Sequence, residues 1–349
     1  MIKALCAEIL MRKKELQDEE IQHIYFGGGT PSVCTVSEIE EVLTTIFSNF
    51  SVSETPEITL EANPDDLTEA KIKAIAKTKI NRLSIGVQSF YERDLKLMNR
   101  AHNAHEALQC IDFAKAYFDN ISIDLIYGIP GLSNEQWLEN LHKTIALNIP
   151  HISCYALTVE DNTALKKFIE KGVINAVSDS KSSEQYHLLV STFEKAGYIN
   201  YEFSNFGKTG YFSGNNTAYW QRKSYVGIGP SAHSYNGKER SWNVSNNTLY
   251  IKGIEAGKRP FEKETLSTAD QFNEYIMTGL RTIWGISITK IEEDFGMQFA
   301  YHFKKLAQKH LDDELMYQVN NQYHLTKKGK FFGDGIASDL FFIPLHGNS

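Results

Sequence analysis

Three consecutive glycines follow a short run of β-branched and aromatic residues, and this turn is well suited to hold a small molecule. The run Ile21–Phe26 is typical of a strand, and Gly27-Gly28-Gly29-Thr30-Pro31 follows it directly. Glycine permits positive φ and lets backbone N–H and C=O groups approach a ligand. The turn has neither the spacing of a dinucleotide fingerprint nor the lysine of a phosphate-binding loop. It therefore suits an amino-acid-like group, with a plain tight turn as the alternative.

Polar side chains also stand at the ends of later strand patterns, namely Glu61, Gln88 and Asp124. Carboxylate and amide groups that face one cavity can hydrogen-bond to ribose hydroxyls, which distinguishes a nucleoside from a plain phosphate. A buried carboxylate without a partner is costly. A structural ion pair of Glu61 with Arg82 or Arg100 therefore stays an alternative to ligand binding.

The elements that must position these residues alternate between strands and helices, which predicts parallel β/α units. Predicted strands span 21–26, 57–62, 82–88, 120–127 and 151–158, and predicted helices span 36–47, 68–77, 104–117 and 134–147. One face of the strands is apolar, whereas the other carries residues such as Ser84, Ser122 and Ser153. A closed eight-stranded barrel fills its interior with bulky side chains. The expected fold class is therefore α/β, an incomplete, open parallel β/α barrel whose polar face holds a ligand.

Changes of pattern along the chain predict three regions. Residues 1–175 would form a partial β/α barrel, residues 176–267 would complete and connect it, and residues 268–349 would form an α+β, winged-helix-like domain. The middle region includes a predicted helix at 181–196 and a predicted strand at 198–206. The last region ends in a hairpin of strands 315–319 and 323–326.

Composition limits the classes of function. The chain has 349 residues and a formal net charge of -7, which argues against general nucleic-acid binding because phosphates require a basic surface. No apolar run approaches the ~20 residues needed to span a bilayer, and no signal-peptide core is present. We expect a cytoplasmic protein with no stable membrane insertion. The four cysteines are scattered without metal-site spacing, so we expect free thiols and no metal ligands.

Several motifs in fixed order identify a family. GGGTP, LEANP, SIGVQSF, MNRAH, IDLIYGIPG and GIGPSAHS occur in this order, and together they resemble the oxygen-independent coproporphyrinogen III oxidase-like group of radical SAM proteins. The resemblance covers nearly the whole chain and is closer to the heme chaperone branch than to the oxidase itself. It implies binding of S-adenosylmethionine and a 4Fe–4S cluster, at which the family cleaves this cofactor reductively.

The resemblance also implies residue roles. The glycine turn would bind the methionyl part of S-adenosylmethionine, Glu61 and Gln88 its ribose, and Ala156 would flank the adenosine. His233 would be the best remaining imidazole for a heme, with a hydrogen-bonded loop histidine as the alternative. No catalytic residue is assigned. The complete set of expected cofactor-binding residues is Gly28, Gly29, Thr30, Glu61, Gln88, Arg100, Asp124, Ala156 and His233.

The sequence departs from the family pattern at two places. The CxxxCxxC loop that supplies three cluster thiolates is absent from this chain, and we expect Met1 to be an internal start or the edge of an expressed fragment. Where members of the heme chaperone branch carry Arg-His-Asn-x-x-Tyr-Trp, this chain has Asn215 in place of the histidine. His102, His105, His142 and His187 fall on helical patterns and are expected at the surface.

Three functions follow from these features. The first is a heme chaperone that binds heme and S-adenosylmethionine, carries a cluster when full length and passes heme to a receiving protein. The second is an oxygen-independent oxidase that decarboxylates coproporphyrinogen III to protoporphyrinogen IX. The third is a cluster-free binding module that keeps only the barrel.

Overall fold

The computed structural model describes residues 1–16, 19–159, 161 and 164–344. The chain divides into two compact units. Residues 17–215 form the sheet unit, and residues 1–16 together with 216–349 form the C-terminal unit, which includes the first helix, α1 (Ile2–Met11). The predicted three-region division at residues 175 and 267 stays a prediction.

The sheet unit is built on a single sheet of mostly parallel strands. Strands β1 to β5 are parallel and adjacent in chain order, and β7 pairs antiparallel with both β5 and β6. Because β1 and β6 are the two edges, the described sheet is open, and the predicted open β/α architecture is confirmed. The strands are β1 Ile21–Phe26, β2 Val52–Ala62, β3 Arg82–Gln88, β4 Asn120–Tyr127, β5 His151–Ala156, β6 Ile199–Asn200 and β7 Asn205–Gly207.

Helices cover the apolar face of this sheet. Strand residues such as Leu60, Leu83 and Ile123 are fully buried against helix residues such as Ile72 and Trp137. This burial supplies the main stabilisation of the unit, at about 25 cal/mol per Å² of apolar surface. The helices are α2 Val36–Phe47, α3 Glu69–Ile75, α4 Glu92–Leu97, α5 Ala104–Lys115, α6 Asn134–Ala146, α7 Ala164–Glu170 and α8 Asp179–Lys195.

Side-chain caps begin two of these helices. Thr35 accepts a hydrogen bond from the backbone N–H of Glu38, whose carboxylate in turn accepts from the Thr35 backbone, so that a capping box opens α2. Thr68 accepts from the backbone N–H of Lys71 at the start of α3.

The predicted strand 198–206 is wrong as a single element. The Glu202 carboxylate accepts a hydrogen bond from the Ser204 backbone at 3.1 Å, and the turn separates β6 from β7.

The C-terminal unit contains two small antiparallel sheets. Helix α9 (Gly214–Trp220) precedes the first sheet, whose order is β10-β9-β8, and the second sheet has the order β11-β13-β12. The hairpin of the second sheet turns at Asn320, which has a φ of 54°. The remaining elements are β8 His233–Tyr235, β9 Glu239–Asn243, α10 Asn247–Glu255, β10 Phe261–Thr265, α11 Thr268–Leu280, β11 Ile286–Ser287, α12 Ile288–Asp294, α13 Met297–Asp312, β12 Met316–Val319, β13 Gln322–Leu325, α14 Lys327–Lys330 and α15 Gly333–Asp339.

None of the helices in the described part of the chain combines the length and the apolar character needed to cross a bilayer.

Candidate cofactor site

The glycine turn and Glu61 lie together at the end of β1 and β2, as the sequence predicts. The Gly28 backbone N–H donates to Glu61 Oε2 at 3.2 Å, and the Tyr25 hydroxyl donates to Glu61 Oε1 at 2.6 Å. A Cβ atom at Gly27 would lie 2.8 Å from Glu61 Cδ, so a side chain there would displace the carboxylate. Among the described residues Glu61 forms no ion pair, and the alternative pairing with Arg82 or Arg100 is wrong.

The turn leaves open space beside its backbone. Gly28 adopts a φ of +78°, and a Cβ added at Gly28 or Gly29 would meet no heavy atom within 4 Å. Thr30 is also exposed. An amino-acid-like ligand could therefore approach the peptide groups of this turn closely, and the residues present fit the methionyl part of S-adenosylmethionine.

Asp124 and Arg100 add charge to the same polar sheet face. Burial, with a smaller contribution from the nearby Glu61 carboxylate, raises the pKa of Asp124 to about 6, although Ser153, Arg82 and Arg100 oppose the shift. Burial lowers the pKa of Arg100, which Asp124 partly offsets. Asp124 is thus close enough to both Glu61 and Arg100 to interact with each electrostatically. The buried Arg100 Nε has no hydrogen-bond acceptor among the described residues.

Gln88 and Ala156 lie at the ends of β3 and β5. The β3–β4 register shifts between Ile85 and Gln88, and Gln88 has a φ of 67°. A Cβ at Gly86 would lie 2.8 Å from Gln88 Nε2, so the amide folds back over this glycine. Ala156 is exposed and is the register partner of Tyr127 on β4. The sequence pattern did not predict this irregularity in strand register, where Gln88 adopts its positive φ.

The polar sheet face continues below this site with a buried arginine and a carboxylate. Arg82 Nε lies 3.8 Å from Glu57 Oε2, and the guanidinium is 2% exposed. Glu57 also accepts hydrogen bonds from the backbone N–H groups of Gly214 and Asn215, at 3.0 and 3.1 Å. Asn215, where the resemblance leads one to expect a histidine, is therefore held through its backbone. His23 occupies the space of a side chain at Gly214, because a Cβ there would lie 2.4 Å from His23 Nε2.

Two further buried or partly buried side chains in this region, Tyr25 and His102, were not predicted from the sequence. Burial and the Glu61 carboxylate raise the pKa of Tyr25, so its phenol remains a donor. His102, expected at the surface, is 3% exposed; one ring nitrogen lies 3.1 Å from the Val87 carbonyl oxygen and the other 3.7 Å from Asp65. Its surface assignment is therefore wrong. Tyr25 could have been found by strand alternation, because it has the same parity as His23 on β1.

His233 belongs to the C-terminal unit, where a loop of residues 227–234 precedes and enters β8. Its exposed ring stacks on Trp242, with centroids 6.0 Å apart. Helix α1 fixes this loop: Glu8 Oε2 accepts from the Gly229 backbone N–H at 2.8 Å, and Arg12 donates to the Gly227 carbonyl oxygen at 2.6 Å. The loop is thus held by buried polar groups far away in sequence. A role of His233 toward a cofactor stays a prediction.

The cysteines do not fit an iron–sulfur cluster. Cys6, Cys34, Cys110 and Cys154 are free thiols, and the described residues contain no group of three or more His, Cys, Asp or Glu that could hold a metal ion. Burial raises the pKa of Cys34, raises that of Cys110 to about 12 and raises that of Cys154 strongly. Metal ligation needs thiolates, so the buried thiols of Cys110 and Cys154 are poor ligands.

Comparison with known proteins agrees with this geometry. Residues 4–144 match the Radical SAM superfamily, and residues 266–332 match the HemN C-terminal domain. The chain is 33% identical over 336 residues to the heme chaperone HemW of Lactococcus lactis subsp. lactis (strain IL1403), which covers 96% of this chain and 88% of that protein. The chain belongs to the HemW family of radical SAM proteins. The family resemblance predicted from the motifs is therefore confirmed.

Two other known proteins match a similar share of this chain. The heme chaperone HemW of Bacillus subtilis (strain 168) is 29% identical over 338 residues, covering 96% of this chain and 89% of that protein. The solved structure of coproporphyrinogen III oxidase (HemN) from Escherichia coli, a radical SAM enzyme, superimposes with a TM-score of 0.84 at 20% identity. It covers 97% of this chain and 82% of that chain. At this identity the similarity concerns the fold alone.

Proposed function

We propose that this chain is a heme chaperone, which binds heme and passes it to a receiving protein. The observation that carries the proposal is the similarity to HemW of Lactococcus lactis, which extends over 96% of the chain. Similarity over such a length includes both compact units. The fold is shared with an oxidase, but a shared fold does not imply a shared reaction.

The same proposal includes a site for S-adenosylmethionine in the sheet unit. Gly28 and Gly29 would bind its methionyl part, because open space adjoins their backbone. Glu61 would accept a hydrogen bond from a ribose hydroxyl, since it faces the turn and is only partly buried. Gln88 would provide an amide at the next strand end. Arg100, Asp124 and Ala156 would complete the walls, and His233 remains the imidazole proposed for heme.

The cofactor supplies radical chemistry in this superfamily when a cluster reduces it. The four thiols described above do not fit a cluster, so the proposed function of this chain rests on binding and orientation by its own residues. The Tyr25 phenol holds Glu61 toward the turn, and the partly buried Asp124 would provide a second acceptor.

A heme titration followed by absorbance, run beside a coproporphyrinogen III turnover assay, tests the proposal. We expect saturable binding of heme with a shifted Soret band and no decarboxylation of coproporphyrinogen III. Failure of the wild-type chain to bind heme would contradict the chaperone function. Conversion of coproporphyrinogen III would favour the oxidase.

A further inference from the structure

The C-terminal unit contains a cavity of about 350 Å³ that is open to solvent. It lies between the segment after α1, residues 224–226 and the sheet of β8, β9 and β10. A volume of this size lies within the usual range of small-molecule sites. The principal lining residues are Leu16, Tyr225, Val226, Tyr235, Arg259 and Phe261.

Three aromatic residues, Tyr225, Tyr235 and Phe261, contribute to its wall. The rings of Tyr225 and Tyr235 have centroids 6.3 Å apart. Phe261 is 46% exposed, and the Arg259 guanidinium lies 3.8 Å from its ring centroid. Flat apolar surfaces of this kind bind aromatic ligands by area burial and by stacking. The cavity thus suits a flat ligand.

Arg259 has an N–H donor, at Nε, that finds no acceptor among the described residues. Its side chain is 11% exposed, and Nη2 donates to Ser241 Oγ at 2.8 Å. Nη1 is 3.6 Å from Glu15 Oε1, beyond hydrogen-bond distance. Both carboxylate oxygens of Glu15 already accept from Arg12, at 2.9 and 2.6 Å. The buried Arg259 Nε has no acceptor among the described residues, and an unsatisfied buried donor costs about 1–3 kcal/mol.

A carboxylate is the ligand group that matches these donors. A guanidinium can bind a carboxylate through two parallel N–H···O bonds. A polyphosphate fits less well, because Glu15 and Glu239 also line the cavity and would repel a multiply charged anion. Lys263 is already paired with Glu239 at 2.8 Å, which leaves Arg259 as the main anchor. The ligand therefore combines a flat aromatic body with a small number of carboxylates.

We propose that this cavity binds the propionate edge of heme, with Arg259 pairing with a propionate and the aromatic wall contacting the macrocycle. The proposal rests on the heme chaperone function and assigns that function a binding surface. Recognition of the propionate edge does not depend on the iron, so a metal-free porphyrin should also bind in this cavity. An open cavity that grips one edge also suits a carrier, because the bound ligand stays accessible for transfer.

The test compares Arg259→Ala with Lys258→Ala in titrations with heme, metal-free protoporphyrin IX and its dimethyl ester. Lys258 is an exposed neighbour outside the cavity lining, so it controls for charge. We expect Arg259→Ala to weaken binding of heme and protoporphyrin by about tenfold or more. It should leave binding of the ester unchanged, and Lys258→Ala should match wild type with every ligand.

A second variant tests the same cavity in case Arg259→Ala does not fold. Ser224 is exposed and lines the cavity, so Ser224→Trp should block the cavity and weaken heme binding without loss of a buried contact. Wild-type affinity for heme in a folded Arg259→Ala or in Ser224→Trp would overturn this site but leave the chaperone function standing. If the wild-type chain bound no heme, both proposals would be wrong.

Discussion

Glu8 and Glu61 are both carboxylates held by hydrogen bonds, but their surroundings differ. Glu8 is fully buried in the C-terminal unit and accepts from the Gly229 backbone, Asn243 and Tyr250, at 2.8, 2.8 and 2.6 Å. Glu61 accepts from one phenol and one backbone N–H and stays partly exposed. A carboxylate saturated by its own unit stabilises the fold, whereas one with an open side can bind a ligand.

The largest expected effect is that of Glu8→Ala on stability. The substitution leaves buried donors without an acceptor and removes the carboxylate 3.5 Å from the buried Arg12 guanidinium. We expect the free energy of unfolding to fall by about 3–5 kcal/mol, measured by urea denaturation. The exposed Glu19→Ala is the control and should change it by less than about 0.5 kcal/mol. A loss below about 1 kcal/mol for Glu8→Ala would remove the distinction drawn above.

Glu61→Ala should affect S-adenosylmethionine binding more than it affects stability. It removes two hydrogen bonds at a partly exposed position, so the free energy of unfolding should fall by only about 1 kcal/mol. Affinity for S-adenosylmethionine should fall about 10- to 100-fold, because a hydrogen bond to a charged group contributes about 1.5–3 kcal/mol. Calorimetric titration measures this change, with the exposed Glu41→Ala on α2 as a matched control. Unchanged affinity would mean that Glu61 only fixes the turn.

Gly28→Ala and Gly29→Ala separate backbone strain from space for the cofactor. Gly28 has positive φ and Gly29 does not, and neither added Cβ meets an atom within 4 Å. Gly28→Ala should lower the free energy of unfolding by about 1 kcal/mol because alanine disfavours positive φ, whereas Gly29→Ala should leave it nearly unchanged. Both should weaken S-adenosylmethionine binding if the ligand contacts this turn. Thermal unfolding and titration of each variant measure the two effects independently.

Much of the sheet unit could be predicted because its signals are local. The alternation of apolar and polar residues placed Glu61 and Asp124 on one face. The contacts of Glu8 could not be predicted, since its partners lie more than 200 residues away in sequence. His102 was misassigned for a different reason, because it precedes α5 instead of lying on a helix and its ring contacts the Val87 carbonyl and Asp65.

The smallest expected effect is a pH dependence that originates at Asp124. Its folded pKa is about 6 and its unfolded pKa is about 3.9, so the folded state binds the additional proton. Stability should therefore decrease as pH rises from about 4 to 6 and level off above this range. Because Asp124 is only partly buried, we expect a total change of about 1 kcal/mol.

Asp124→Asn should remove this slope and be more stable than wild type at pH 8, with the difference vanishing toward pH 4. Urea denaturation across this range measures both profiles. Glu61→Ala should shift the wild-type slope to lower pH, because loss of the neighbouring charge lowers the pKa of Asp124. Identical slopes in wild type and Asp124→Asn would show that Asp124 does not titrate here. A shift of the slope to lower pH in Glu61→Ala would instead show that the Glu61 and Asp124 carboxylates interact electrostatically. Both lie on the open sheet face, whereas Glu8 is fully buried.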